Sequence, residues 1–152
     1  MIIIPYPEPS FKLKKENERD FIFDPHRKIW LQLTEEEWVR QNFIAYLVKE
    51  LQYPSSLIAI EKEIMLGELK KRFDVLVYDP FFKPWMMIEC KAPSVQLTAD
   101  VLQQVLRYNI SLPVPYLVIT NGSYTIVYHK SAGKLTELQQ LPAWNITHKI
   151  VK

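Results

Sequence analysis

The chain has 152 residues, 48% of them hydrophobic, with four tryptophans and a formal net charge of +2 at pH 7. That length fits one domain burying about 70% of the surface its unfolded chain exposes, and the composition supports a packed core rather than disorder. A single cysteine excludes an internal disulfide and a cysteine-based zinc finger and fits a reducing compartment. The near-neutral charge permits nucleic-acid binding without arguing for it.

In chain order, residues 1–10 hold three prolines and are expected to form a loose arm. Met1-Ile2-Ile3-Ile4 is cut short by Pro5 and lacks a basic flank, so it is not a signal peptide. No apolar run approaches the roughly eighteen residues of a membrane span, and the cytoplasm is the expected location. Phe21-Ile22-Phe23 and Ile29-Trp30-Leu31 predict a small antiparallel hairpin, with Lys15–Asp20 as a charged loop. Thr34 followed by Glu35-Glu36-Glu37 predicts a helix start with an N-cap, the helix running to about Gln52 before Pro54. Strands are predicted over Leu57–Leu66, Arg72–Tyr78 and Trp85–Lys91, a helix over Leu97–Asn109, and strands over Tyr116–Thr120 and Tyr124–His129. Asn121-Gly122-Ser123 is the turn between the last two. The expected organisation is an arm and hairpin over 1–33, a core over 34–130 and a tail over 131–152, with no repeat or low-complexity segment.

Two of these strands carry the chemistry. Asp74 opens the run Val75-Leu76-Val77-Tyr78, and Glu89-Cys90-Lys91 ends the run that starts at Pro84. Side chains alternate along a strand, so Glu89 and Lys91 share one face and Cys90 takes the other. A hairpin over residues 79–84 brings Asp74 beside Glu89. Two carboxylates about 4 Å apart repel by roughly 4 kcal/mol at an effective dielectric near 20. A cation between them removes that cost, and carboxylate oxygens suit Mg²⁺ or Mn²⁺. The alternative is an ordinary salt bridge, Glu89 with Lys91 or Asp74 with Lys71. Lys70-Lys71-Arg72 either places positive charge beside this site or forms a solvated turn after Gly67.

The helices add polar residues at informative positions. Ile44, Leu47, Val48 and Leu51 form an apolar stripe on the first helix, and its backward extension meets Glu37, Arg40 and Gln41. Glu37 is either a site carboxylate or the partner of Thr34 in a capping box. In the second helix Leu97, Val101 and Val105 mark the buried side, with Gln104 and Tyr108 one turn apart at its edge. On their own, Gln104 and Tyr108 read better as a surface residue and a boundary aromatic with a wet hydroxyl.

Asp74, Glu89-Cys90-Lys91 and the Gln104–Tyr108 pair, in a helix–three-strand–helix–strand order, resemble the PD-(D/E)xK nuclease superfamily. More narrowly they resemble the N-terminal nuclease domain of type I restriction enzyme R subunits, over roughly residues 20–130. The resemblance implies a restriction-endonuclease-like α/β fold, a central mixed sheet flanked by helices, and Mg²⁺- or Mn²⁺-dependent hydrolysis of DNA. It implies Asp74, Glu89 and the main-chain carbonyl of Cys90 as metal ligands, with the Cys90 thiol packed inward. Lys91 would activate the attacking water, Gln104 and Tyr108 would place the strand, and Glu37 would be the helix carboxylate. The proline that gives the superfamily its name is absent, since Arg72-Phe73 precede Asp74.

R subunits carry an ATP-driven motor, and no Gly-x-x-x-x-Gly-Lys-Ser/Thr occurs here. A separate motor or specificity subunit is the partner so implied. His26, His129 and His148 are scattered, against a zinc site. The competing readings are a non-catalytic nucleic-acid-binding module on the same fold and a subunit-interaction protein using Trp30, Phe81, Phe82 and Trp85 as an exposed patch.

Overall fold

The fold was analysed in a computed structural model, which describes residues 1–109 and 113–144, apart from the side chains of Leu66 and Tyr108. The C-terminal end of the tail, His148 included, lies outside the described residues. Three short strands come first: β1 (Leu13–Glu16), β2 (Arg19–Asp24) and β3 (Ile29–Gln32), paired in that order as an antiparallel sheet. The predicted charged loop Lys15–Asp20 is therefore paired backbone, with Lys15 opposite Asp20. The turn closes because Asn17 and Glu18 both take left-handed conformations, φ 51° and 63°, the geometry a two-residue hairpin needs.

Helix α1 spans Glu35–Lys49. The Thr34 hydroxyl accepts the Glu37 N–H at 3.0 Å, and three glutamates in the first turn complement the helix dipole. The helix ends short of the predicted Gln52. Gln52 turns the chain at φ 58°, and the Tyr53 N–H closes on the Leu47 carbonyl at 2.9 Å. Tyr53 is thereby buried against the core.

The main sheet has six strands in sequence order: β4 (Ile58–Leu66), β5 (Leu69–Tyr78), β6 (Pro84–Cys90), β7 (Tyr116–Thr120), β8 (Thr125–Ser131) and β9 (Lys134–Leu138). Only β6 and β7 run parallel, with helix α2 (Ala99–Asn109) in the crossover that a parallel pair requires. Strand β5 starts earlier than predicted, so Lys70-Lys71-Arg72 lies inside a strand rather than in a turn. Lys70 and Arg72 there pair with Glu63 and Glu61. β9 was not legible as a strand; it follows a turn over Ala132 and Gly133, both at positive φ.

The arm is also tied down. Ile2 and Thr125 exchange backbone hydrogen bonds at 2.7 and 2.9 Å, and Ile4 is buried in the core. Its apolar residues outweigh its prolines. One surplus residue, Trp85, interrupts the β5–β6 ladder between the pairs Val77–Met86 and Tyr78–Pro84. Its ring is buried at 5.6, 5.1 and 5.1 Å from those of Tyr53, Tyr116 and Trp144. The expected surface patch thus loses Trp85, while Trp30, Phe81 and Phe82 are exposed.

The sheet is buried on both faces. On one, Val75, Val77, Met86, Ile88 and Cys90 pack with Val39, Phe43, Ile44 and Leu47 of α1. On the other, Leu76, Met87 and Leu117 pack with Leu106 of α2. Gly122, at φ 89°, lets the β7–β8 turn approach α1; an added Cβ would stand 3.3 Å from Val39. No described helix is long and apolar enough to cross a membrane.

Candidate active site

The β5–β6 register sets the site. Val75 faces Ile88, so the next position outward sets Asp74 opposite Glu89, and cross-strand partners point to the same face. Asp74 is anchored there, its Oδ2 accepting the Cys90 N–H at 2.8 Å. Lys91 follows the strand end, with its N–H on the Thr120 carbonyl at 2.8 Å and its Nζ 3.6 Å from Glu89 Oε1. The predicted Glu89–Lys91 ion pair is therefore present, alongside the second carboxylate rather than instead of it. The Cys90 thiol packs in the core, and burial pushes it well above the usual thiol range.

This cluster is short of positive charge. Burial first, and the Asp74 charge next, push the Glu89 carboxyl up to about 7 against the opposing pull of Lys91. Glu36, on the first turn of α1, is raised too, by burial and then by Asp74, with Arg40 and Lys91 opposing. Glu36 is thus the helix carboxylate that feels Asp74 and Lys91, and sequence reasoning passed over it. The signal was available: Glu36 precedes Arg40, Phe43 and Leu47 by four, seven and eleven residues, the spacing of one helix face.

Glu37 is held elsewhere. Its carboxylate accepts Arg27 Nη2 at 3.0 Å and Gln41 Nε2 at 2.8 Å, and lies 3.8 Å from Arg40 Nη2. Arg27 also pairs with Asp24, which is fully buried. Arg40 donates to Glu61 at 2.9 Å. Burial raises the Asp24 carboxyl, but Arg27, the His26 N–H and Gln41 hold it below the ordinary value. The Glu61 carboxyl is likewise lowered, chiefly by the Arg40 hydrogen bond. The polar continuation of the α1 stripe through Glu37, Arg40 and Gln41 is therefore buried, where it clamps the small sheet and β4 to the helix.

On α2, Gln104 is exposed and no described residue hydrogen-bonds to it; Asp100 and Arg107 are exposed as well. The Tyr108 side chain lies outside the described residues. His26 reaches the Ile58 carbonyl at 2.5 Å and His129 stacks on Tyr116, so neither approaches Asp74.

Among the described residues no three His, Cys, Asp or Glu side chains gather to hold a metal. Asp74 and Glu89 are the two carboxylates that could serve a cation, alongside water and main-chain oxygens. An all-oxygen set is what Mg²⁺ takes, usually from one or two carboxylates. Glu89 is one-third exposed, and its raised carboxyl stands beside that of Asp74, so the pair carries an unfavourable charge when both ionise.

A six-stranded mixed sheet flanked by two helices, with aspartate and Glu-x-Lys on adjoining strands, is the arrangement of a PD-(D/E)xK nuclease-like α/β domain. The family described as type I restriction enzyme R protein N terminus matches residues 35–142, and the chain belongs to it. That span runs from α1 through β9 and leaves the β1–β3 sheet outside. No curated protein matches the chain.

Proposed function

We propose that the protein is a Mg²⁺- or Mn²⁺-dependent endonuclease that hydrolyses DNA phosphodiester bonds, working with a separate motor or specificity subunit. The observation that carries this reading is Asp74 set against Glu89 across β5 and β6 with Lys91 Nζ 3.6 Å from Glu89, the Glu89 carboxyl being driven up to about 7. Membership in the restriction R-protein family supports DNA as the substrate.

Asp74, Glu89 and the Cys90 carbonyl would hold the ion. The chemistry it supplies is polarisation of the scissile phosphate and a lowered pKa for bound water. Lys91, held between Glu89 and β7, orients the attacking water and neutralises charge that develops on the phosphoryl oxygens. The hydrogen bond from Cys90 keeps Asp74 aimed at the site when no ion is bound. Gln104 and Tyr108 steady the strand that presents the phosphate.

Two measurements test this together. Mg²⁺ or Mn²⁺ at a hundred times its dissociation constant should stabilise the fold by about 2.7 kcal/mol, read as a rise in melting temperature, and should switch on cleavage of plasmid DNA. Asp74→Asn should abolish both. A variant that still gained stability from the ion would show that the ion binds elsewhere. A wild type inert on every DNA, alone and with its partner subunits, would sink the enzyme.

A further inference from the structure

The small sheet has an inner and an outer face, and the outer one is unusual. Ile22 and Asp24 are buried and point to the body of the protein, so Phe21 and Phe23 between them point away. The register sets Lys14 opposite Phe21 and Trp30 opposite Phe23, hence on that same outward face. Lys14 Nζ lies 4.3 Å from the Trp30 ring centre and 6.0 Å from that of Phe21, and Lys12 Nζ lies 5.6 Å from that of Phe23. Phe23 and Trp30 meet edge to face at 5.4 Å and 66°. Trp30 is 38% exposed and both lysines are exposed.

Single exposed rings are ordinary, but three adjoining rings interleaved with ammonium groups are not. Arg19 shares this face and Glu16 is its one acid, opposite Arg19 and 3.3 Å from Lys14, so the balance is positive. The cores of protein–protein interfaces are depleted of lysine, which argues against a protein as the occupant. Flat π surfaces beside ammonium groups match a chain of bases and phosphates. A duplex hides its base faces in the stack, whereas a single strand offers them. At its Lys12–Phe23 end the face runs into a cavity of about 720 Å³ whose walls include Phe11, Ile44, Val48 and Lys49.

We propose that the outward face of the β1–β3 sheet is a stacking platform for single-stranded nucleic acid, with bases on Trp30 and Phe23 and phosphates on Lys12 and Lys14. The proposal rests on nucleic acid being the substrate and adds a strand contact outside the part of the chain that the family match covers.

The test is fluorescence anisotropy of dye-labelled oligo(dT), oligo(rU) and a DNA hairpin duplex against the full chain in EDTA, where metal-dependent cleavage is silent. Trp30→Ala should weaken binding of both single strands about tenfold or more and of the duplex less than twofold. Trp30→Phe, which keeps a ring, should stay within about threefold of wild type. Lys14→Ala should flatten the log–log salt dependence by about 0.7, and urea midpoints confirm that each variant is folded. Unequal loss on dT and rU would still support the platform and show which of the two strands it prefers. Wild-type affinity in Trp30→Ala and Lys14→Ala overturns it and leaves the rings to a protein partner; equal losses on single strand and duplex overturn it also. The nuclease fails separately: a wild type that binds single strands through Trp30 yet cuts nothing defeats the enzyme alone, and one that cuts while Trp30→Ala binds and cuts normally defeats the platform alone.

Discussion

Glu36 and Glu37 are neighbours in the first turn of α1, and they lead into two charge clusters of opposite kind. Around Glu37, Arg27, Arg40 and, on Glu61, Arg72 meet Asp24, Glu61 and Glu37 itself, and the Asp24 and Glu61 carboxyls sit below their ordinary values. Around Glu36, Asp74 and Glu89 are matched by Lys91 and by Arg40, which lies 4.0 Å from Glu36 and is shared with the other cluster, and the Glu36 and Glu89 carboxyls sit above theirs. Burial acts in both clusters, so burial is not the difference. The supply of guanidinium groups is. A cluster that neutralises itself holds elements together, whereas one that does not keeps a charge that a cation would balance under the proposed function.

The comparison breaks most visibly at Arg27. Arg27→Ala leaves the fully buried Asp24 without its cation and Glu37 with one arginine instead of two, which should cost about 3–5 kcal/mol of stability. Urea unfolding reads that loss, and cleavage per folded molecule should stay at the wild-type level. A drop below about 1 kcal/mol would mean that water already reaches the clamp.

Lys91→Ala should do the converse. It removes one exposed-side cation, so stability changes little, but cleavage under single-turnover conditions should fall about 10²–10³-fold. Affinity for DNA in EDTA should barely move. A parallel fall in affinity and rate would make Lys91 one phosphate contact among several.

The smallest effect is on pH dependence. Glu89 is an acid raised in the folded state from 4.5 to about 7, so between those values the folded protein holds more proton than the unfolded one. The metal-free protein should therefore lose stability as pH rises through this window, by about 1 kcal/mol once solvent screening at a one-third exposed side chain is allowed for. Glu89→Gln should flatten that slope. Stabilisation by Mg²⁺ should run the other way and grow toward pH 7, because a ligand carboxyl must first lose its proton. Asp24, lowered in the fold, contributes its loss below this window, while Glu36, raised as Glu89 is, adds a slope of the same sign that Glu89→Gln leaves in place.

Much of this was legible in the sequence. Short apolar runs fixed β5 and β6 closely enough to set Asp74 against Glu89, and the helical stripe exposed Glu37, Arg40 and Gln41 as polar residues on a buried line. What the stripe did not say is which polar partner each would meet, because Arg27 and Asp24 come from a hairpin some ten residues away and Glu61 from β4. Glu36 and Glu37 differ by about 100° around a helix, and the backward extension of the stripe lands on Glu37 rather than on the neighbour whose carboxyl feels Asp74. The β1 strand was hidden by its charge, since Leu13-Lys14-Lys15-Glu16 has no apolar alternation. β9 is an edge strand, half exposed, and leaves as faint a trace.

The surplus residue in the β5–β6 ladder has a consequence for how such a domain varies in length. Because the Trp85 indole is locked among Tyr53, Tyr116 and Trp144, the offset between the strands is set by a ring wedged beneath the sheet and not by the turn over residues 79–83. Insertions or deletions in that turn, with its exposed Phe81 and Phe82, are absorbed before they reach Asp74 and Glu89. The loop can change length while the carboxylates stay in step.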